Sequence, residues 1–247
     1  MYSNWKYKSF LYTLVTIFIV YIVIPIVNVL VSQQNFEIKK GNIPDFYSIS
    51  KSLSISQLPI ILFLIIIGLF TFKEIKIKDK FQLINWNNKY LLLPPVAEAI
   101  LLPATFLSVF IFQNILDMLN IKATPQDFQV MLLHCDTNSF ILLSIAAIVV
   151  APIIEEIIFR KLLYDYLSLK FGFVLSAFVV GILFAGVHFA LLQFPALFIM
   201  SIILQLTYKK FNSIYPCILI HSFHNSTSIF FISLVKFGII NASEGKI

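Results

Sequence analysis

Long apolar runs constrain this chain more than any other feature. They are fifteen to twenty-eight residues long, show no strand-like alternation, and account for most of the 247 residues, of which 59% are hydrophobic and 12% charged. A globule of this length has too little interior to bury so much apolar surface, whereas about 20 apolar residues in a helix cross a bilayer core. The sequence therefore excludes a water-soluble monomer and predicts an all-α, polytopic transmembrane helical bundle.

Seven runs predict about seven spans. They cover residues 10–31, 53–72, 90–116, 140–167, 171–192, 194–208 and 214–237. The second and sixth are the weakest, and the sixth would cover only about 22 Å of a core about 30 Å thick, so six or eight spans remain open. The first is too long for a signal-peptide core and is interpreted as a retained anchor. We divide the chain into N-terminal helices and loops (1–138), a catalytic core (139–238) and a short tail (239–247).

The basic residues behind the net charge of +6 are scattered between the apolar runs, as membrane topology would place them. They form no continuous stripe along which a phosphate backbone could bind, so no nucleic-acid partner is predicted. The two cysteines, Cys135 and Cys217, cannot form a disulfide framework. Neither C-x-x-C nor H-E-x-x-H occurs, and no cofactor or structural zinc is predicted. The bias toward Lys, Ile, Asn and Phe suggests an AT-rich bacterial gene, which would place the protein in the inner or plasma membrane.

Basic residues in the loops predict the orientation. Twelve lie on one side of the predicted spans and six on the other, and the richer side is expected to face the cytoplasm. A reporter fused after Lys76 should therefore be cytoplasmic, and one fused at the carboxyl terminus should be external. Alkaline phosphatase fusions measure this directly. Activity at Lys76 without activity at the carboxyl terminus would reverse the orientation.

Two adjacent glutamates in the fourth run are the strongest chemical signal. An ionisable side chain within a bilayer costs at least about 2.5 kcal/mol, which indicates a function. At about 100° per residue, Glu156 and Arg160 share one helical face and can pair, whereas Glu155 points away and is left as a candidate general base. The alternative is a helix-end cluster that reaches the headgroups.

Two later runs also carry polar residues. His188 follows Phe184 by one turn on the predicted fifth helix, where Ala177, Gly181 and Ala185 form a stripe that admits a close neighbour. On the seventh, His221, Asn225 and Ser228 share a face. Packing of a lone histidine and interhelical hydrogen bonding are the structural alternatives. Glu98, in the third run, is a candidate second partner for Arg160.

The heights of these residues test whether they can meet. Measured from a turn at 168–170, Glu155 and His188 lie about 21 and 27 Å away, and His221 lies about 13 Å beyond the next turn at 209–212. The predicted heights of Glu155, His188 and His221 therefore differ by up to about 14 Å. Helix tilt and a kink at Pro152 would permit the residues to meet, but the sequence does not require it.

The motifs resemble, in order and spacing, those of the CAAX protease and bacteriocin-processing (CPBP) family of intramembrane proteases. That family has E-E-x-x-x-R, F-x-x-x-H and H-x-x-x-N. The corresponding residues here are Glu155, Glu156 and Arg160, then Phe184 and His188, then His221 and Asn225. The sequence departs from the pattern in two places, with Lys161 where a glycine is frequent and an additional His224 beside Asn225.

The resemblance implies an intramembrane endopeptidase that acts on a membrane-associated peptide or protein. Glu155 would activate water with the help of His188, and His221 and Asn225 would stabilise the oxyanion. Glu156, Arg160 and Phe184, which belong to the same motifs, would support them. Glu98 lies outside the motifs and is assigned a supporting role only through its predicted contact with Arg160. No metal is expected; if one were bound, Glu155, His188 and His221 would be its ligands, with His224 as an additional one.

Two other functions remain open from the sequence. The same polar core could bind a peptide without cleaving it, as in bacteriocin self-immunity. Buried Glu and His also form proton relays in transporters, although no inverted repeat is evident. The substrate, the cleavage position, the side to which the site opens and the oligomeric state cannot be read from these residues.

Overall fold

A computed structural model describes residues 87–123 and 126–240. All regular structure in these residues is helical. A 3₁₀ turn at Asn88–Leu92 precedes α1 (Leu93–Met118), and α2 (Asp127–His134) follows. A continuous helical stretch then comprises α3 (Thr137–Ile145), α4 (Ala151–Glu156) and α5 (Asp165–Gly186), joined by π-helical segments at Ala146–Val150 and Ile157–Tyr164. The last helices are α6 (Phe194–Phe211) and α7 (Tyr215–Lys236).

Among the described residues, three helical stretches are long and apolar enough to cross a membrane: Asn88–Met118, Thr137–Gly186 and Tyr215–Lys236. They contain the predicted third and fourth runs and most of the fifth and seventh, while α6 begins at Phe194 as the sixth run predicts. The first two runs lie outside the described residues, so the count of seven spans stays a prediction. The structure adds α2 between the third and fourth predicted runs, where the sequence analysis predicts no helix, because an eight-residue helix has too short a pattern to recognise.

The stretch Thr137–Gly186 folds back on itself as a hairpin. Its first turn is capped by Asp136, which accepts hydrogen bonds from the backbone N–H groups of Asn138 and Ser139 and from the Ser139 hydroxyl; these bonds lower the pKa of Asp136. Gly172 has φ 72° and ψ −177°, a conformation open almost only to glycine. The Phe159 ring packs against Phe184 at 5.1 Å between centroids, which requires that residues 173–186 run back along the first arm.

Substitution of Gly172 by alanine should destabilise the hairpin by about 1–3 kcal/mol, the range typical of a strained backbone. A Cβ there would meet nothing within 4 Å, so the effect would come from the backbone alone. Gly186→Ala is the matched control, because its Cβ is equally unobstructed and its φ is not positive. Thermal unfolding in detergent measures both. Equal stability of the two variants would contradict this account of the turn.

The position of this turn changes the predicted heights. Glu155 lies 17 residues before Gly172 and His188 lies 16 after it, so both are about 25 Å from the turn. The sequence analysis was wrong to place the turn at 168–170, because only the glycine can adopt the required backbone. The sequence analysis also treated the turns at 168–170 and 209–212 as lying at the same depth in the membrane. In the structure Tyr208, near the end of α6, packs against Tyr164, about 12 Å along the helix from Gly172.

The second arm of the hairpin packs closely on α6. An added Cβ at Gly181 would lie 2.8 Å from the Phe198 ring, so only glycine permits this approach. Ala177 and Ala185, on the same stripe, are both buried. The close helix contact predicted from the small residues is confirmed, and it fixes the arm that ends immediately before His188.

Candidate functional site

Glu155 faces two imidazoles. Its Oε2 lies 4.0 Å from Nε2 of His188 and 3.8 Å from Nε2 of His221. These side chains are 12%, 17% and 4% exposed, so the centre is almost closed to solvent yet retains some access. Oε2 itself is buried and has no hydrogen-bond partner among the described residues. The structure therefore brings together three residues that follow one another at intervals of 33 positions along the chain.

Glu156 contacts Arg160 through one carboxylate oxygen and His221 through the other. Its Oε2 forms an ion pair with Nε of Arg160 at 3.0 Å, the i, i+4 pairing that the helical spacing predicts, and both side chains are completely buried. Its Oε1 lies 2.9 Å from Nδ1 of His221. The sequence analysis missed this second contact, because it paired Glu156 with Arg160 alone. A carboxylate has two oxygens, and Arg160 occupies only one.

Phe184 forms an apolar platform beneath the site. It is fully buried, and its ring centroid lies 5.0 Å from that of His188 and 5.9 Å from that of His221. The Arg160 guanidinium lies over the same ring, with Cζ 4.8 Å from the centroid. This cation–π contact provides a partner for the completely buried charge of Arg160, on the same ring that both histidines contact.

His188 lies beyond the helix on which the sequence analysis placed it. The fifth helix ends at Gly186 and does not continue to residue 192; His188 occupies the following turn, next to Phe189, whose φ is +51°. Nδ1 of His188 lies 2.7 Å from the Phe184 carbonyl oxygen, which is free because the helix has ended. This contact directs Nε2 toward Glu155.

Asn225 is positioned by the first π-helical segment. Its side-chain N–H group donates to the Ala147 carbonyl at 2.8 Å. The altered ladder of a π-helix can leave a carbonyl without its usual intrahelical partner, and Asn225 bonds to one within that segment. Asn225 shares a helical face with His221, but no hydrogen bond joins it to Glu155, and its amide has a second N–H group beyond the one that donates to Ala147.

Glu98 does not pair with Arg160, so that part of the sequence analysis was wrong. Its Oε1 and Oε2 lie 3.2 and 3.0 Å from Nδ1 of His224, because α1 packs on the face of α7 that carries His224. Within the described residues, no group of three His, Cys, Asp or Glu side chains is arranged to hold a metal ion. Because it contacts Glu98, His224 is directed toward α1 and not toward Glu155.

Apolar helices around a buried Glu and His centre define a helical membrane protein with a polar site inside its bundle. Residues 137–227, less than half of the chain, match the family model described as type II CAAX prenyl endopeptidase Rce1-like. The chain therefore carries an Rce1-like domain, and the CPBP resemblance seen in its motifs is confirmed. No curated protein and no solved structure matches the chain.

Proposed function

We propose that this protein is an intramembrane endopeptidase that hydrolyses a peptide bond in a membrane-associated peptide or protein. The observation that carries the proposal is the approach of one carboxylate oxygen, Glu155 Oε2, to the Nε2 atoms of His188 and His221 at 4.0 and 3.8 Å. These separations are too long for direct hydrogen bonds and suit a bridging water. A water bound to Glu155 would be within hydrogen-bond reach of both imidazoles.

The hydrogen bonds of the two histidines favour this role. In each ring Nδ1 faces an acceptor, the Phe184 carbonyl for His188 and the Glu156 carboxylate for His221. Nδ1 therefore carries hydrogen in both, an assignment made from the hydrogen-bond network, and Nε2 is left to exchange protons within the site. The carboxylate on His221 resembles the arrangement in which an acidic group holds a catalytic imidazole in one tautomer.

The reaction follows from these positions. Glu155 accepts a proton from water while the water oxygen attacks the peptide carbonyl carbon. The oxyanion that forms would accept hydrogen bonds from the free amide N–H of Asn225 and from Nε2–H of His221 in its protonated form. Glu155 then returns the proton to the leaving nitrogen as the C–N bond breaks, which yields a carboxylic acid and an amine.

A comparison of membrane peptides tests the function even though the substrate is unidentified. Cells containing the wild-type protein or Glu155→Gln, His188→Ala or His221→Ala variants at equal abundance would be compared by mass spectrometry. We expect the same cleavage products to be lost in all three variants. Ser233→Ala, an exposed hydroxyl far along α7, is the control. Products retained in all three would favour a peptide-binding or immunity protein.

We expect the site to work without a metal. A carboxylate that activates water and N–H donors that stabilise an oxyanion need none, and Asn225 is a better donor than ligand. Metal analysis of purified active protein should find less than stoichiometric zinc, and chelators should leave activity unchanged. Stoichiometric zinc, with activity lost to a chelator and restored by the metal, would overturn this expectation and make Glu155, His188 and His221 the ligands.

A further inference from the structure

A second carboxylate–imidazole pair lies outside the proposed reaction. Nδ1 of His224 contacts both oxygens of Glu98, and the two side chains are only 14% and 9% exposed. The pair repeats the arrangement of Glu156 and His221, one helical turn further along α7. Glu98 lies on α1, outside the segment that matches the family model.

We propose that Glu98 is a positioning residue for the hydrolytic site. By holding His224, it fixes the rotation of α7 about its own axis, and this rotation sets the distance between His221 and Glu155. The inference rests on the proposed function, because it assigns Glu98 a part in the same reaction without contact with the reacting atoms.

The geometry of α7 supports this coupling. His221 and His224 are three residues apart, so their side chains leave the helix about 60° apart and are held by different neighbours, α4 through Glu156 and α1 through Glu98. Side-chain tips lie about 5–6 Å from a helix axis. A rotation of about 10° would then move Nε2 of His221 by about 1 Å, a large change in a gap of 3.8 Å.

The composition of α1 also indicates a specific role. Glu98 is the only charged residue between Leu93 and Leu116, and the other buried residues of the helix are uncharged. Well-packed apolar residues can replace a buried ion pair with little change in stability, so such a pair is weak evidence for stability; fixing a geometry is its better-attested use. Here the geometry fixed is the angular position of α7.

Glu98→Gln in the purified full-length chain tests the proposal. The amide still fills the space but no longer offers His224 a carboxylate. The chain has four histidines, so ¹⁵N-histidine NMR in detergent can resolve His221, with His221→Ala to assign its signal. We expect that signal to shift in Glu98→Gln, although Glu98 does not contact His221, and the exchanged pair Glu98→His with His224→Glu to return it toward the wild-type position.

Turnover provides the second readout, with a peptide identified in the membrane comparison as the probe. A displacement of about 1 Å can cost about a hundredfold in rate, so we expect kcat to fall at least tenfold with KM within twofold, and the exchanged pair to recover part of the loss. Asp117→Asn on α1 and Thr227→Ala on α7 are controls. If Glu98→Gln fails to fold, Glu98→Asp and His224→Gln replace it.

The outcomes separate this inference from the proposed function. An unchanged His221 signal with a changed His224 signal would overturn the positioning role, whatever the turnover. Unchanged kcat in a peptide-cleaving protein would also overturn it. If no peptide is cleaved by the wild-type protein, the proposed function fails while the NMR comparison still decides whether Glu98 controls the position of His221.

Discussion

Glu155→Gln should reduce peptide hydrolysis by about 10²–10⁴-fold, the contribution typical of a general base. Glutamine keeps the size of the side chain but cannot accept the proton of water. The protein should stay folded, because Glu155 Oε2 has no hydrogen bond among the described residues that the substitution would remove. Removal of a desolvated charge is expected to leave thermal stability unchanged or slightly higher.

The measurement is kcat on purified protein beside thermal unfolding of the same preparation. Asp117→Asn makes the same chemical change at an exposed carboxylate whose partner is Gln113, and it should alter neither quantity. Turnover above one tenth of the wild-type value in correctly folded Glu155→Gln protein would exclude Glu155 as the base.

Glu156→Gln should instead unfold at a markedly lower temperature. It breaks a completely buried ion pair with Arg160, and loss of one partner of such a pair typically costs about 3–5 kcal/mol. A second substitution, Arg160→Met, removes the charge left without a partner and should restore part of the stability. Activity should fall in both variants, because His221 loses the carboxylate that orients its Nδ1.

An adjacent ion pair provides the control for this result. Lys161 and Asp165 have the same spacing on the same arm and lie 2.7 Å apart, but they are 14% and 36% exposed. A partly exposed pair contributes less than a completely buried one, so Lys161→Met should have a smaller effect than Glu156→Gln. If Glu156→Gln is stable and inactive while Glu155→Gln unfolds and its folded fraction still cleaves, the two glutamates have exchanged roles.

Sequence reasoning reached the constituents of the site because their spacing is local. The pairing of Glu156 with Arg160 follows from the helical repeat, and the close contact at Gly181 follows from the size of the residue. Motif order placed Glu155, His188 and His221 in one site, although counting residues along straight helices left them at different heights. This calculation of heights failed because it required the positions of two turns, and the sequence analysis misplaced the first turn and put both at the same depth.

The remaining contacts depend on which helix neighbours which, and the sequence does not contain that information. Glu98 pairs with His224 and not with Arg160, and Glu156 bonds to a histidine 65 residues away. The end of the fifth helix at Gly186 was also missed, because the apolar run continues to Leu192 with His188 as its only polar residue after Gly186. Hydropathy indicates how favourably a segment partitions into lipid, but it does not indicate where the helix ends.

In the hairpin closed by Gly172, a small change in the angle between the two arms produces a large displacement at residues far from the bend. Glu155 lies about midway along the first arm and His188 lies just past the end of the second, each about 25 Å from the bend. A change of only about 2° in the angle between the arms would move one of these residues by about 1 Å, more than the roughly 0.5 Å tolerance of a catalytic arrangement. The contacts that hold the arms together, from Lys209 over the Phe173 ring near the bend to Phe159 against Phe184 near the site, therefore limit changes in the separation of Glu155 and His188.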